Sequence, residues 1–385
     1  MAPTIKCFDS QKELQDAVNV FLGGNPLAVA NIYGPISHWC VSRITNFTAL
    51  FANHVNFNEP LDGWDMSHAV TTRSMFQGAT LFNQDLSMWN VSQVTDMGFM
   101  FANAMAFNGD VSTWKTQSVT HLQNTFAGAA AFDQDLSQWN TSRATDLTSC
   151  WQGALSFNGD VSTWDTSRVT DLSNTFQKAA KFNRDISRWN VSAVTTMTSL
   201  FDEANAFNAD VSKWDTSRVT SFSAAFSNAW AFNQDLSAWN TMAAKSMRQM
   251  FQNALAFNAD ISTWNTWQVT NMNAMFRGAG NFQQDVSGWN VGRVTDMSYM
   301  FNHATKWNHD ISQWDVSSLT TMNAMFRNAP LFNQNLCTWG SRLGSITNQA
   351  TAVTAAQAFQ LSGCPLGTDP DFSSIPPGPL CHACN

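Results

Sequence analysis

The sequence predicts an α/β solenoid: a stack of about thirteen 25-residue coils, each a short parallel strand followed by a short helix, closed by helical caps at both ends. Three observations predict it. Tryptophan recurs every 25 residues without slippage, from Trp39 through Trp64, Trp89, Trp114, Trp139, Trp164, Trp189, Trp214, Trp239, Trp264, Trp289 and Trp314 to Trp339. A repeat this strict marks coils that cannot bury their apolar faces alone and must stack on one another. Within each period, apolar residues fall at steps of three and four in one half and alternate with polar ones in the other. Finally, charged residues make up only 12% of the 385, about half the usual share. A stack explains this, because identical charges one coil apart repel whereas Asn, Ser and Thr columns hydrogen-bond along it.

Taken in chain order, residues 1–35 form an N-terminal cap, 36–345 the repeat array as one elongated domain, and 346–385 a C-terminal cap and tail. Gln11 to Leu22 has helical spacing at Leu14, Ala17, Val18 and Phe21 and is expected to cover the first coil. In the coil beginning at Phe82, the segment from Asp85 through Trp89 to Val91 alternates and is too short for a stable helix, so it reads as a strand pairing in parallel with its neighbours. Val94, Met97, Met100, Phe101, Ala104 and Phe107 mark one face of a short helix. Thr95 and its equivalents (Thr120, Thr145, Thr170, Thr195, Thr220, Thr270, Thr295, Thr320) sit at its N-cap, with Asp96, Asp146, Asp171 and Asp296 in the first turn. The Ala104 column is small because neighbouring helices approach there. Thr354 to Leu361 is expected to be a closing helix, followed by a tail through Pro376–Pro379.

A second period is superimposed: Gln84, Gln134, Gln234, Gln284 and Gln334, with Arg184, alternate with Gly109, Gly159, Ala209, Ala259 and His309 in one slot. The array thus looks copied from a 50-residue pair of coils.

The column most suggestive of chemistry is Asp85, Asp110, Asp135, Asp160, Asp185, Asp210, Asp235, Asp260, Asp285 and Asp310. Carboxylates about 5 Å apart repel by about 1 kcal/mol per neighbour in water. Calcium between coils would neutralise them; so would backbone N–H groups of each Asp's own turn, with the Ser two residues on. The local turn is favoured, since a calcium loop needs several oxygen ligands and a glycine-rich bend. A basic column, Arg43, Arg143, Arg168, Arg218 and Arg293, reads either as i, i+3 pairing with Asp146, Asp171 and Asp296 or as a stripe docking acidic glycans or a partner.

The net charge of −8 speaks against nucleic acid or an anionic membrane as partner. No run of some 18 apolar residues predicts a membrane span, and Met1 to Cys7 lacks the apolar core of a signal peptide. Cysteines cluster at the ends, and Cys7 with Cys40 and Cys337 with Cys364 are candidate disulfides that would pin a fraying stack. The opposing reading is seven reduced thiols in a cytosolic or virion protein. Cys150 replaces Met or Leu of other coils and reads as a buried free thiol. Cys381-His-Ala-Cys384 is a single C-x-x-C, weak as a zinc motif. Asn46, Asn90, Asn140 and Asn190 match the glycosylation sequon but belong to the coil motif itself. The seven histidines follow no column, and no H-E-x-x-H, P-loop or G-x-S-x-G occurs.

The recurring run Asn-x-Asp-(Leu/Ile/Val)-Ser-x-Trp-Asn-(Val/Thr)-Ser-x-Val-Thr-x-Met-x-x-Met-Phe-x-x-Ala-x-x-Phe resembles the repeat of the DUF285 or BspA-like leucine-rich-repeat surface proteins, over about 80% of the chain. The resemblance implies a right-handed, leucine-rich-repeat-like solenoid acting as an adhesive or partner-binding scaffold at a surface or outside the cell. The chain departs from that pattern in showing no leader, lipobox or wall anchor. The expected function is therefore non-enzymatic binding of protein or glycan, without cofactor. A structural component of a cell covering or virion, assembling with itself, is the first competitor. Ice binding is the second, and would need exposed paired Thr columns.

Overall fold

A computed structural model describes residues 6–344, 353–370 and 380–384. The chain divides into two compact units, Met1–Ala193 and Val194–Asn385. The boundary falls inside the repeats, not near residues 36 or 346.

The first unit opens with α1 (Gln11–Leu22) and α2 (Pro26–Tyr33), then a 3-10 turn at Ile36–His38. Helix α1 matches the expected range. Ser10 accepts from the Glu13 N–H at 3.2 Å while the Glu13 carboxylate accepts from the Asp9 N–H at 2.9 Å, the reciprocal capping that the Ser10-Gln-Lys-Glu13 spacing allows. Leu14, Ala17 and Val18 are buried, and Phe21 meets Trp39 edge-on at 6.0 Å. Helix α2, which sequence reasoning missed, is capped by Asn25 with Pro at its first turn.

Within the coils of both units, neither the expected strand nor the expected helix forms. Parallel pairing is confined to one residue per coil, and it lies after the Trp rather than before it. Asn46, Thr71, Asp96, His121 and Asp146 bridge in sequence in the first unit; Thr196, Ser221, Ser246, Asn271, Asp296, Thr321 and Thr354 do so in the second. The segment Asp85–Val91 is irregular, shaped by side-chain turns rather than by a sheet.

The apolar run that reads as a helix is a succession of β-turns. Met100 N–H reaches the Met97 carbonyl, Ala102 that of Phe99, and Ala104 that of Phe101, each three residues back. The intervening N–H groups leave the coil: Met97, Phe99, Phe101 and Asn103 donate to His121, Gln123, Thr125 and Ala127 of the next. A helix would turn every N–H inward to the residue four back. The reason is visible in the backbone, where Phe99 (φ 60°) and Asn103 (φ 58°) are left-handed and interrupt any right-handed helix. The same two slots recur as Ser74 and Gly78, Asn124 and Gly128, Ala274 and Gly278, and Ala324 and Asn328. A chain of turns and a helix share the three-and-four spacing of buried residues, which is why periodicity alone does not separate them.

Two expectations attached to that helix change with it. The Thr95 column does not cap. Thr95 donates both its N–H (2.9 Å) and its hydroxyl (3.2 Å) to the Val70 carbonyl, and Thr120, Thr145, Thr295 and Thr320 place the hydroxyl on the coil before in the same way. Ala104 is fully buried because it closes the second turn, not because helices touch.

The core holds what the repeat promises. The thirteen periodic indoles are between 0% and 4% exposed, and stacked pairs have ring centroids 5.8 Å (Trp114 and Trp139) to 6.4 Å (Trp314 and Trp339) apart. Trp39 donates its N–H to the Gly34 carbonyl (3.1 Å), and the others donate to the carbonyl 28 residues earlier where the bond lies within a unit, as Trp139 does to Val111 (2.9 Å) and Trp289 to Ile261 (3.1 Å). The polar edge of a large apolar ring is thereby satisfied inside the core. Beside them run Phe pairs, such as Phe101 on Phe107 at 3.8 Å within a coil and on Phe126 at 5.6 Å in the next.

At the C-terminal end, Thr354 to Leu361 is not a helix. It is the last layer of turns: Met322, Ala324, Phe326 and Asn328 donate to Thr354, Ala356, Ala358 and Gln360. Gln357 and Leu361 are left-handed, as in any coil. The helix at this end is α3 (Cys337–Gly344), eight residues long. Pro376–Pro379 lies outside the described residues.

Candidate partner-binding surface

The coils make up to three short turns closed by a side-chain oxygen that accepts the N–H two residues on. The first is the Asp column. Asp85, Asp110, Asp135, Asp160 and Asp185 accept from Ser87, Ser112, Ser137, Ser162 and Ser187, and Asp210, Asp235, Asp260, Asp285 and Asp310 from Ser212, Ser237, Ser262, Ser287 and Ser312, all at 2.8–2.9 Å. Backbone and hydroxyl bonds from the Ser hold the carboxyls of Asp210, Asp260 and Asp285 below the usual range. The charge is met locally, so calcium is not required to explain the column. Among the described residues no three His, Cys, Asp or Glu side chains converge as a metal site.

The second turn is made by Asp65, Asn90, Asn140, Asp165 and Asn190 in the first unit and by Asp215, Asn240, Asn265, Asn290 and Asp315 in the second. The sequon residues Asn90, Asn140 and Asn190 thus close turns, and Asn46 closes one with Thr48. Asp96, Asp146, Asp171 and Asp296 make the third, to Gly98, Thr148, Ser173 and Ser298. Another column escaped sequence reasoning although it is legible in the motif. The Asn83 side chain accepts from the Asn108 N–H one coil on at 2.8 Å, and Asn58, Asn158, Asn208 and Asn233 do likewise. The 50-residue alternation is partly explained by it: Gln84 reaches back to the Asn58 carbonyl at 2.8 Å, and at Gly109 in the next coil a Cβ on the present backbone would come within 2.0 Å of the Gln84 carbonyl, although Ala209, Ala259 and His309 fill that slot elsewhere.

Because these Asp carboxylates serve their own turns, the i, i+3 pairs expected of Arg143, Arg168 and Arg293 are not formed among the described residues. Arg43 instead pairs with Asp9 at 2.5 Å. Arg143, Arg168, Arg218 and Arg293 are all exposed. In the second unit Arg293 lies over the Trp267 ring at 4.7 Å. Trp267 (39% exposed) and Met242 (50%) occupy a slot that holds Ser in Ser142, Ser167, Ser217 and Ser317. Large side chains replacing Ser in an exposed column are the readable signal, one that lies in the departures from the repeat and not in the repeat itself. A further exposed apolar corner, Val55, Leu81, Met105 and Leu155 in the first unit, was missed for the same reason.

The cysteines divide into Cys7–Cys40, Cys337–Cys384 and Cys364–Cys381. Cys337 is therefore not joined to Cys364. The C-x-x-C pair is split between two bonds, which removes it as a zinc ligand set. Cys150 is a buried free thiol whose pKa is pushed well up by burial and then by Asp146. Three disulfides place the chain among proteins of oxidising, extracellular or secretory surroundings. Among the described residues no helix is long and apolar enough to cross a membrane.

No curated protein matches the chain. A chain of the crystal structure of a TLR13–ssRNA13 complex aligns over 83% of this chain and 53% of its own length, at 9% identity and a TM-score of 0.22, a similarity too low to bear on fold or partner. The chain spans about half the length of that relative. The model of the family described as "Mycoplasma protein of unknown function, DUF285" matches residues 20–139, 105–201, 184–276 and 245–363. With matched repeats covering most of its length, this repeat solenoid belongs to the DUF285 family.

Proposed function

We propose that the chain is a non-enzymatic, extracellular binding scaffold whose exposed columns take a protein or glycan partner. The observation that carries this reading is the Trp267–Arg293 pair. Around it the Asn265 and Asn290 side-chain oxygens are committed to their own turns, while the indole and Met242 stand in a slot that mostly holds Ser and the Arg293 guanidinium of the basic column lies over the indole. An aromatic ring with a cation beside it is a frequent anchor at interfaces. A surface-protein and glycan array probed with the whole chain tests the reading. Saturable hits that survive EDTA and weaken at least several-fold in Trp267→Ala are expected; an array without saturable hits contradicts it.

The apolar corner Val55, Leu81, Met105 and Leu155 favours the second reading, lateral self-assembly, because large apolar side chains left exposed along one corner mark contact surfaces. Concentration-dependent growth in sedimentation velocity, abolished by Leu81→Asp with Met105→Asp, supports it; a monomer throughout opposes it. Ice binding finds less support. The Thr95 column is exposed, but it is single, and the neighbouring slot holds Gln93, Ser118, Arg143 and Arg168.

A further inference from the structure

Two arginines of the second unit stand on either side of a histidine without a counter-charge. Arg277 and Arg327 hold one slot two coils apart, about 10 Å at a spacing of about 4.8 Å per coil. His303 stands between them, next to Asn302 in the intervening coil. Neither guanidinium meets a carboxylate within ion-pair distance among the described residues. Arg327 donates from Nη1 to Gln357 at 2.9 Å, while its Nε–H is buried with no acceptor. A buried, unused N–H on a charged group is unfavourable, so an acceptor brought beside it would be stabilised.

The imidazole is set as a neutral ring. Its Nδ1 lies 2.6 Å from the Asn302 oxygen and its Nε2 3.1 Å from the Asn328 amide nitrogen, which can only donate. Burial, then Arg277, then Arg327 push its pKa down from the ordinary value, so both guanidiniums bear on the same ring. Arg277 also lies 5.5 Å from the Tyr299 ring, which remains 38% exposed. The equivalent slots in the first unit hold Gln77, Ala102, Ala127, Gln152 and Gln177, so the cluster is particular to these coils.

We propose that Arg277, His303 and Arg327 form a subsite for an oxyanion, sulfate or carboxylate, carried by an acidic glycan, with Tyr299 offering a flat face to the adjoining sugar ring. Two guanidiniums on either side of a neutral, fully bonded imidazole supply the charge and the forked donors that such a group takes, His303 holding the floor of the site between them. The exposed tyrosine favours a saccharide over an isolated anion. This site rests on the binding-scaffold reading and names a ligand class for it.

Titration calorimetry with the full chain tests it, using a sulfated chondroitin hexasaccharide, unsulfated chondroitin of the same length and neutral maltohexaose. Salt-sensitive binding of one or both charged probes and none of the neutral one is expected. The sulfated arm alone responding names sulfate; both responding names the carboxylate as sufficient. Arg277→Gln and Arg327→Gln should each weaken binding about ten-fold or more, while leaving the melting temperature close to that of the parent because neither guanidinium holds an ion pair among the described residues. No binding of the charged probes, equal binding of the neutral one, or unchanged affinity in both variants overturns the subsite. Array hits retained by an Arg277→Gln/Arg327→Gln double variant would leave the scaffold reading standing while this one falls.

Discussion

Trp139 shows how much one side chain contributes. It is 2% exposed, stacks on Trp114 and Trp164, and supplies the hydrogen bond of the buried Val111 carbonyl. Trp139→Ala removes all three and should cost about 3–5 kcal/mol in denaturant titration. Glu13 gives a pH-dependent contribution of known sign. Its carboxyl is drawn down to about 2 by the Lys6 ammonium, then by the Asp9 N–H and the Tyr33 hydroxyl. A depressed carboxylate stabilises the fold above its unfolded value near 4.5, and that contribution disappears as pH falls from there through about 2. Melting temperature against pH should therefore lose part of its acid slope in Lys6→Met. Residue identities of this kind were legible in the sequence wherever a column was uniform, as for Trp and Asp. They were illegible at Trp267 or Arg327, where meaning comes from one coil differing from its neighbours.

At the level of the element, the helix expectation failed for a definable reason. Met97, Met100, Phe101 and Ala104 are buried in either conformation, so their spacing reports which face is inward and not where the N–H groups go. The discriminating signal was the composition of the left-handed slots, where Gly78, Asn103, Gly128, Gly153, Asn253 and Gly278 recur. Gly and Asn are the residues that occupy such a backbone most readily. Substitution tests this with a change of sign: Asn103→Gly should leave stability unchanged or raise it, and Asn103→Val should lower it by about 1–2 kcal/mol in chemical unfolding. In a helix the first change would be the harmful one. Disulfide connectivity at the C-terminal end was beyond sequence reasoning, because clustering of Cys337, Cys364, Cys381 and Cys384 does not say which sulfurs meet. Helix α2 was hidden by its length of eight residues.

Across the molecule, the repeat itself was the most legible property: one period fixed the stacking of coils, the buried indoles and the local bonding of the Asp column. Since those carboxylates are met by their own Ser turns, EDTA should leave the thermal melting curve unchanged, and a fall of several degrees would restore calcium. Partner chemistry was far less legible, because the repeated polar groups bond to one another and only departures from the repeat face outward unspent. The account depends most on backbone bonds running from coil to coil. Through-hydrogen-bond couplings in a deuterated, labelled sample report these directly. The expected correlations join the Phe101 amide to the Thr125 carbonyl and the Phe251 amide to that of Met275; correlations to carbonyls four residues back in the same coil would contradict it.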